Sequence, residues 1–289
     1  MDFKAIVMGL AFALIWSSAF TSARFIVTQA PPLTVSALRF LIAGVIAVCI
    51  AWALGQNWRL TKGQWRAVVI FGICQNAIYL GLNFVAMQTV QASLAAIIAS
   101  SMPLLVGLIG WVVLRDRLPL LGVVGLIVGF AGVALIMGAR LQGGIDLVGV
   151  SLCVIAALAL AVATLAMRGA SSGGNLMMVV GLQMLVGAAV LGVVAFVFED
   201  MRIDWNVPLG LAFAYTAIVP GIIATFIWFV LVARIGAVKA ATFHFLNPFF
   251  GVAIAAVLLG ESLGFWDLIG VAVITAGILA VQLSKQATR

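Results

Sequence analysis

Polar side chains interrupt the apolar sequence at spacings that place them on shared helix faces. Asn76, Tyr79 and Asn83 follow an i, i+3, i+7 spacing, so one face of a helix would carry all three. His244 and Asn247 are i, i+3 neighbours in another apolar run. These groups provide hydrogen-bond donors and acceptors but no fixed charge. Because polar groups inside an apolar segment are costly and usually face a cavity or a partner, the pattern predicts binding of a small polar molecule.

Aromatic and hydroxyl side chains extend this set. The face of an aromatic ring attracts an ammonium group, and a hydroxyl donates a hydrogen bond to a carboxylate. The predicted substrate-binding residues are Trp16, Ser17, Asn76, Tyr79, Asn83, Ser100, Trp228, His244 and Asn247. Structural alternatives stay open: a serine can bond its own i−4 carbonyl, an asparagine can join two helices, and an aromatic ring can pack. We interpret Arg39 as a structural residue that snorkels or caps, with a substrate role as the alternative.

Proline occurs inside three of the apolar runs, at Pro103, Pro220 and Pro248. Each one removes a backbone N–H and frees the carbonyl of residue i−4. Such breaks are tolerated where they line a cavity or where neighbouring groups bind the freed carbonyl. We therefore predict that these prolines act as hinges or expose carbonyl ligands for an ammonium group, and packing kinks are the alternative.

The residue types that are missing from the middle of the runs argue against several functions. No Asp or Glu lies there, since Glu261 and Asp267 are close to a turn, and this disfavours proton-coupled export of cations. No pair of Lys or Arg is present to clamp a phosphate group, which disfavours sugar-phosphate exchange. A lone His244 and three scattered cysteines form neither a nucleophile–base pair nor a metal triad. We predict no catalytic residue, no metal site and no cofactor.

The composition requires that these groups lie in a membrane. The 289 residues are 65% hydrophobic and 8% charged, whereas soluble domains carry about 25% charged residues. No soluble fold hides that much apolar surface, so lipid must be the solvent. The 15 Lys and Arg are too dispersed for a nucleic-acid interface despite the net charge of +7, and we expect no nucleic-acid partner.

Ten apolar runs are each long enough to cross the hydrocarbon core, which takes about 20 residues in a helix. Short connections separate them, and several of these contain paired glycines or prolines, so no soluble domain is predicted. The runs cover residues 5–27, 33–54, 65–87, 92–114, 119–138, 147–168, 175–198, 208–233, 237–259 and 264–283.

Basic residues are distributed unequally between the two sides that these spans define. With the N-terminus inside, 11 of the 15 Lys and Arg lie on the inner side and 4 on the outer side. The outer segment 199–204 is acidic instead, with Glu199, Asp200 and Asp204. Since cytoplasmic loops carry the excess of Lys and Arg, both termini are predicted to be cytoplasmic. We expect a multi-pass protein of a bacterial inner membrane.

The two halves of the chain are similar to each other. Residues 92–137 align with 237–282 at an offset of 145, and the positions that are then identical include two glycines and a proline. Five spans in each half is an odd number, so the second half must enter the membrane from the opposite side. We predict two inverted five-helix repeats, residues 1–140 and 141–289. Inverted repeats are typical of secondary transporters, whose site lies between them near the middle of the membrane.

Two segments of the chain carry motifs that are typical of one protein family. Residues 247–282 (NPFFGVAIAAVLLGESLGFWDLIGVAVITAGILAVQ) contain a mid-helix proline, an acid at the turn and a glycine-rich last helix. Residues 15–40 begin with an aromatic residue and small residues and end in an Arg-Phe pair. Both segments resemble the EamA-type branch of the drug/metabolite transporter superfamily. The chain departs from that pattern at Ser17 and Ser18, where relatives often have Gly and Asn.

Within that branch, the chain is most similar to bacterial amino-acid exporters of the YddG type, which handle aromatic and other neutral amino acids. The resemblance implies that helices 1–4 and 6–9 surround a central cavity, with helices 5 and 10 outside. The expected fold is therefore an all-α membrane protein of ten transmembrane helices, arranged as two inverted five-helix repeats around that cavity.

We predict a secondary transporter that exports small amphipathic metabolites, above all neutral or aromatic amino acids, by alternating access. Efflux of lipophilic drugs or other metabolites is the alternative, while a membrane-embedded enzyme or a scaffold is less favoured. The expected partners are the small-molecule substrate and the lipid bilayer, and a homodimer through the glycine-rich fifth and tenth helices stays open. Proton-driven transporters usually use a carboxylate in the middle of a span, and none is present here. His244 is the only side chain that could titrate near neutral pH instead, so strict coupling to a proton gradient is not expected.

Overall fold

The computed structural model describes residues 3–142, 144, 146–166, 173–235, 240 and 242–287, and every regular element within them is helical. We number the helices α1 to α10 in chain order. Their bounds are α1 Phe3–Val27, α2 Pro32–Ala53, α3 Lys62–Ala86, α4 Ala92–Val112, α5 Leu120–Gln142, α6 Leu147–Ala166, α7 Leu176–Phe198, α8 207–235, α9 Asn247–Leu259 and α10 Phe265–Ala287.

Within the described residues, nine of these helices, all except α9, contain a stretch long and apolar enough to cross a membrane. The predicted span 237–259 is described only in part. A 3₁₀ turn over Thr242–Leu246 leads into α9, whereas residues 236–239 and 241 lie outside the described part of the chain, as does the end of the predicted span 147–168. The prediction of an all-helical protein with multiple membrane spans is confirmed for the described residues.

Two helices contain π-helical turns at equivalent positions of the two halves. In α3 these turns cover Gly72–Tyr79, and in α8 they cover Ala217–Ile223, which includes Pro220. The offset of 145 that aligns the halves places Gly72 on Ala217. Because π-helical turns are rare and frequently occur at functional sites, their repetition at one offset marks α3 and α8 as the helices to inspect for a site.

Pro103 and Pro248 also lie at helix irregularities. α4 is interrupted at Ser101, and Pro103 stands in the first turn of the segment that continues it. Pro248 likewise stands in the first turn of α9, directly after the 3₁₀ turn. A proline in a first turn removes no intrahelical hydrogen bond, since the N–H at that position has no acceptor within the helix. All three predicted prolines thus coincide with irregular backbone, and their action as hinges stays a prediction.

α5 and α10 pack together through small residues. A Cβ atom added to Gly125 would lie 2.9 Å from the carbonyl oxygen of Gly277, and one added to Gly132 would lie 3.0 Å from that of Gly270. Residue numbers rise along α5 while those of the partners fall along α10, so the two helices are antiparallel. Glycine allows this direct approach of the backbones. These contacts lie within one chain, so the same glycines do not form a free surface for a homodimer.

α2 and α7 form a second antiparallel pair. A Cβ atom added to Gly44 would contact Leu185, and one added to Gly181 would contact Val48, so the residue numbers again run in opposite directions. Other contacts join helices of the first half to helices of the second half. α1 packs against α8 and α9, and α6 packs against α3 and α4. These contacts pack the first and second halves of the chain closely together.

α2 and α7 are capped reciprocally: a side chain that follows each helix binds the first turn of the other helix. Glu199 follows α7, and its carboxylate accepts hydrogen bonds from the backbone N–H groups of Leu33 and Thr34 at 2.9 and 2.8 Å. Gln56 follows α2, and its side-chain oxygen accepts a hydrogen bond from the N–H of Met178 at 3.0 Å. A helix N-terminus has unpaired donors and partial positive charge, so such a cap contributes about 1 kcal/mol.

Candidate functional site

A narrow cavity with a volume of about 60 Å³ lies between α1, α2, α3, α7 and α8. Small-molecule sites in proteins typically enclose about 300–1,000 Å³, so a metabolite would bind in a conformation in which this cavity is wider. Apolar side chains form most of the wall, and the largest of them are Phe20, Phe40, Leu80, Phe84, Met87 and Met184. Such a wall complements the apolar part of a ligand and leaves its orientation to a few polar groups.

Most of those polar groups belong to α3. Gln75, Asn76, Tyr79 and Asn83 line the cavity, so the three residues predicted from this helix do share one wall. Much of that wall is the π-helical segment of α3. Trp16 of α1 lies on the wall as well, and α8 contributes Pro220 together with its own π-helical turns. The predicted residues of α3 therefore lie in one wall of the cavity, and a ligand role for each side chain stays a prediction.

The amide groups of α3 differ in how much of their hydrogen-bonding capacity is used. The Nδ2 of Asn76 donates to the carbonyl of Gln183 in α7 at 2.9 Å, which is the helix-joining role that an asparagine can have. The Nδ2 of Asn83 donates to the carbonyl of Tyr79 at 2.8 Å. The Oδ1 of Asn83 is buried and has no hydrogen-bond partner within the described part of the chain. Asn83 therefore offers a free acceptor at the cavity.

Arg39 adds a fixed charge to the wall of the cavity. Its side chain is only 5% exposed and lies in that wall, whereas the predicted substrate-binding residues carry no fixed charge. The guanidinium carbon is 4.4 Å from the ring centroid of Phe40 and 4.8 Å from that of Phe84. The sequence did contain a signal, since Arg39 is seven residues into α2 and therefore about 10 Å along the helix axis.

Trp228 and His244 lie in a separate aromatic cluster beside the cavity. The ring centroid of Phe12 is 4.8 Å from that of Trp228 and 5.3 Å from that of His244. Trp16 connects the two regions, because its ring is 5.6 Å from Phe12 while it also lines the cavity. Neither Trp228 nor His244 is among the cavity-lining residues, so in this conformation the predicted substrate-binding residues lie in more than one region.

Three other predicted residues are bonded away from the cavity. Ser17 donates from Oγ to the backbone carbonyl of Asn247 at 3.3 Å, which ties α1 to the start of α9. The Nδ2 of Asn247 lies 2.9 Å from Nδ1 of His244. The hydroxyl of Ser100 donates to the carbonyl of Ala96, its own i−4 residue, at 2.6 Å. The structural alternative of an i−4 hydrogen bond thus describes Ser100 in this conformation, whereas Ser17 bonds a different helix.

The sequence profile of the EamA-like transporter family matches the chain twice, over residues 3–138 and 147–283. The uncharacterized transporter YvbV of Bacillus subtilis (strain 168) is 28% identical over 282 residues, covering 97% of this chain and 92% of its own length. The uncharacterized inner membrane transporter YedA of Escherichia coli (strain K12) is 26% identical, with 96% and 91% covered. One crystal structure, 22% identical, covers all of both chains with a TM-score of 0.71 and therefore has the same fold.

Proposed function

Since this chain belongs to the EamA-like transporter family, we propose that it exports small amphipathic metabolites, above all neutral or aromatic amino acids. The cavity carries this proposal, because an apolar and aromatic wall there surrounds a small number of polar groups. An amino acid with an apolar side chain has the same division into an apolar body and a polar end. Its ammonium group would meet the free Oδ1 of Asn83 or the face of Trp16, both of which attract a cation.

Alternating access is the mechanism that this architecture supports. We propose that residues 1–140 and 141–289 are inverted repeats of five transmembrane helices each. The equivalent helices α5 and α10 are antiparallel, as are α2 and α7, and antiparallel equivalents are what an inverted repeat requires. The paired π-helical segments and the double match of the family profile support the same division. The site would then lie between the repeats, where either side of the membrane could gain access to it.

The charge distribution supports one orientation of these repeats. We place both termini in the cytoplasm of a bacterial cell, because 11 of the 15 Lys and Arg then lie on the inner side. In this orientation, the acidic segment 199–204 is outside, and α1 runs from the cytoplasm outward.

Efflux of lipophilic drugs or other metabolites is a second candidate function. Three phenylalanine and two methionine side chains lie in the cavity wall, and such side chains also accept bulky apolar molecules of varied shape. The two candidates differ in which molecules compete for transport. Neutral amino acids should compete under the first proposal, whereas bulky lipophilic cations should compete under the second.

Counterflow in proteoliposomes tests the proposal directly. Vesicles that contain the full chain are loaded with unlabelled phenylalanine, and entry of labelled phenylalanine is followed with each class of competitor. We expect uptake well above that of empty vesicles, with inhibition by neutral amino acids. Trp16→Ala should lower this uptake. Ser151→Ala serves as the control, since Ser151 is exposed and its hydroxyl bonds the carbonyl of Leu147. Uptake equal to that of empty vesicles, or inhibition by lipophilic cations alone, would remove amino acids as the substrate.

A further inference from the structure

We propose that Arg39 binds a carboxylate of the transported molecule, so that the cavity selects cargo with one carboxylate group. This inference rests on the proposed function for the role of the cavity and adds the chemical class of its ligand. Arg39 lies in the cavity wall with 5% of its surface exposed. Within the described residues, neither its Nε nor its Nη2 has a hydrogen-bond partner.

The two unpartnered nitrogens of Arg39 define the shape of a ligand that would match them. The N–H groups of Nε and Nη2 lie on the same edge of the planar guanidinium and point in nearly parallel directions. A carboxylate presents two oxygens at matching separation and accepts both hydrogen bonds side by side. Arg39 is the one Lys or Arg among the described residues that line the cavity. A single positive charge balances one carboxylate, whereas a phosphate group usually receives more than one cationic contact.

The surroundings of Arg39 orient its charge without neutralising it. The rings of Phe40 and Phe84 lie 4.4 and 4.8 Å from the guanidinium carbon and attract the cation through their faces. These rings accept none of the in-plane hydrogen bonds that the fork can donate. An unpaired cation inside a membrane protein is costly, and such residues commonly face a substrate pathway. A bound carboxylate would remove that cost in the loaded state.

Arg24 shows what a structural arginine looks like in the same part of the molecule. It lies in the last turn of α1, and its Nη1 donates to the backbone carbonyl of Met87 at the end of α3. Its side chain does not belong to the cavity wall. Arg24 therefore has the partner expected of a capping residue, whereas the Nε–Nη2 edge of Arg39 has none. The pair provides a test residue and a matched control with the same charge.

The test measures ligand binding to the purified full chain through its thermal stability in detergent. The probes are 3-phenylpropionate, its uncharged amide 3-phenylpropionamide, and the cation phenethylamine, which share a ring but differ in the group at its end. We expect 3-phenylpropionate to bind wild type at least about ten-fold more tightly than the amide, since a charge-assisted hydrogen bond contributes more than a neutral one. Equal affinities for acid and amide, or no binding of the acid, would overturn the inference.

Variants then assign the preference to one side chain. Arg39→Gln should abolish the preference for the carboxylate over the amide, and Arg39→Lys should retain part of it because the charge remains without the fork. Arg24→Gln should leave the preference unchanged. A preference that persists in Arg39→Gln overturns the assignment. The acid-to-amide comparison in wild type needs no variant. It can therefore contradict the inference even if a substituted protein folds poorly.

Phenylalanine flux separates failure of this inference from failure of the proposed function. If phenylalanine is not transported but 3-phenylpropionate binds wild type through Arg39, the inference stands and amino acids are not the substrate. If phenylalanine is transported and the amide of phenylalanine competes as well as the acid, transport stands and the carboxylate site does not. Loss of phenylalanine transport in Arg39→Gln, with transport retained in Arg24→Gln, supports both.

Discussion

The side-chain amide nitrogen of Asn247 lies 2.9 Å from Nδ1 of His244. This contact joins the only histidine of the chain to the first residue of α9. The ring of His244 is packed between those of Phe12 and Trp228, with centroids 5.3 and 5.0 Å away. Glu261, the nearest acid in sequence, accepts hydrogen bonds from the first backbone N–H groups of α4 and so has a structural role.

We expect transport that does not require a proton gradient, because no carboxylate lies in the middle of a span and His244 is not among the described residues that line the cavity. Flux of phenylalanine in proteoliposomes should be the same with and without an imposed pH difference, in wild type and in His244→Gln. The contrary result is uphill flux that follows the pH difference in wild type and loses only that component in His244→Gln. His244 would then be the proton carrier.

Spacing along one helix predicted the cavity wall of α3 correctly but could not place residues from other helices. An i, i+3, i+7 pattern fixes which side chains share a face of one helix. It does not determine how α8 and α9 are rotated about their axes. The sequence therefore could not predict that Trp228 and His244 lie outside the cavity wall. For Arg39, the high cost of an unpaired buried charge favoured the snorkelling interpretation over the substrate role. Spacing within α2 could not show that the guanidinium lies in the cavity wall.

The free acceptor of Asn83 should matter for flux more than for folding. Asn83→Ala removes Oδ1 from the cavity, and we expect a several-fold to ten-fold loss of phenylalanine uptake, since one hydrogen bond to a charged group contributes about 1.5–3 kcal/mol. The amount of monodisperse protein should change little. Thr164→Val is the control, because the hydroxyl of Thr164 bonds the carbonyl of Leu160 outside the cavity. Equal losses in both variants would show that Asn83 has no specific role.

Cysteine labelling tests the proposed orientation. Asp204 and Arg59 are both exposed and lie in loops that the inverted arrangement places on opposite sides. In a background without Cys49, Cys74 and Cys153, an impermeant thiol reagent applied to whole cells should label Asp204→Cys and not Arg59→Cys. Labelling of Arg59→Cys from outside would contradict the orientation derived from the basic residues.

A methyl group at the contact of α5 and α10 should impair folding. A Cβ atom on Gly277 would lie 2.4 Å from the backbone nitrogen of Gly129, and a backbone atom cannot move aside as a side chain does. We expect Gly277→Ala to cost about 1–3 kcal/mol, seen as lower yield and a lower unfolding temperature. Gly138→Ala is the control, because a Cβ there has open space within 4 Å. Unchanged stability of Gly277→Ala would show that the two helices are less closely apposed.

The same contact determines which parts of the molecule can be displaced during a transport cycle. Sliding between packed helices proceeds by changes of side-chain rotamer, and glycines in direct backbone contact have no rotamers to change. α5 and α10 therefore form a fixed reference frame in which relative displacements of the other helices can be measured. Spin labels placed on these two helices should keep one distance distribution when substrate is added. Spin labels placed on α1 and α3, across the cavity from each other, should change their distance distribution when substrate is added.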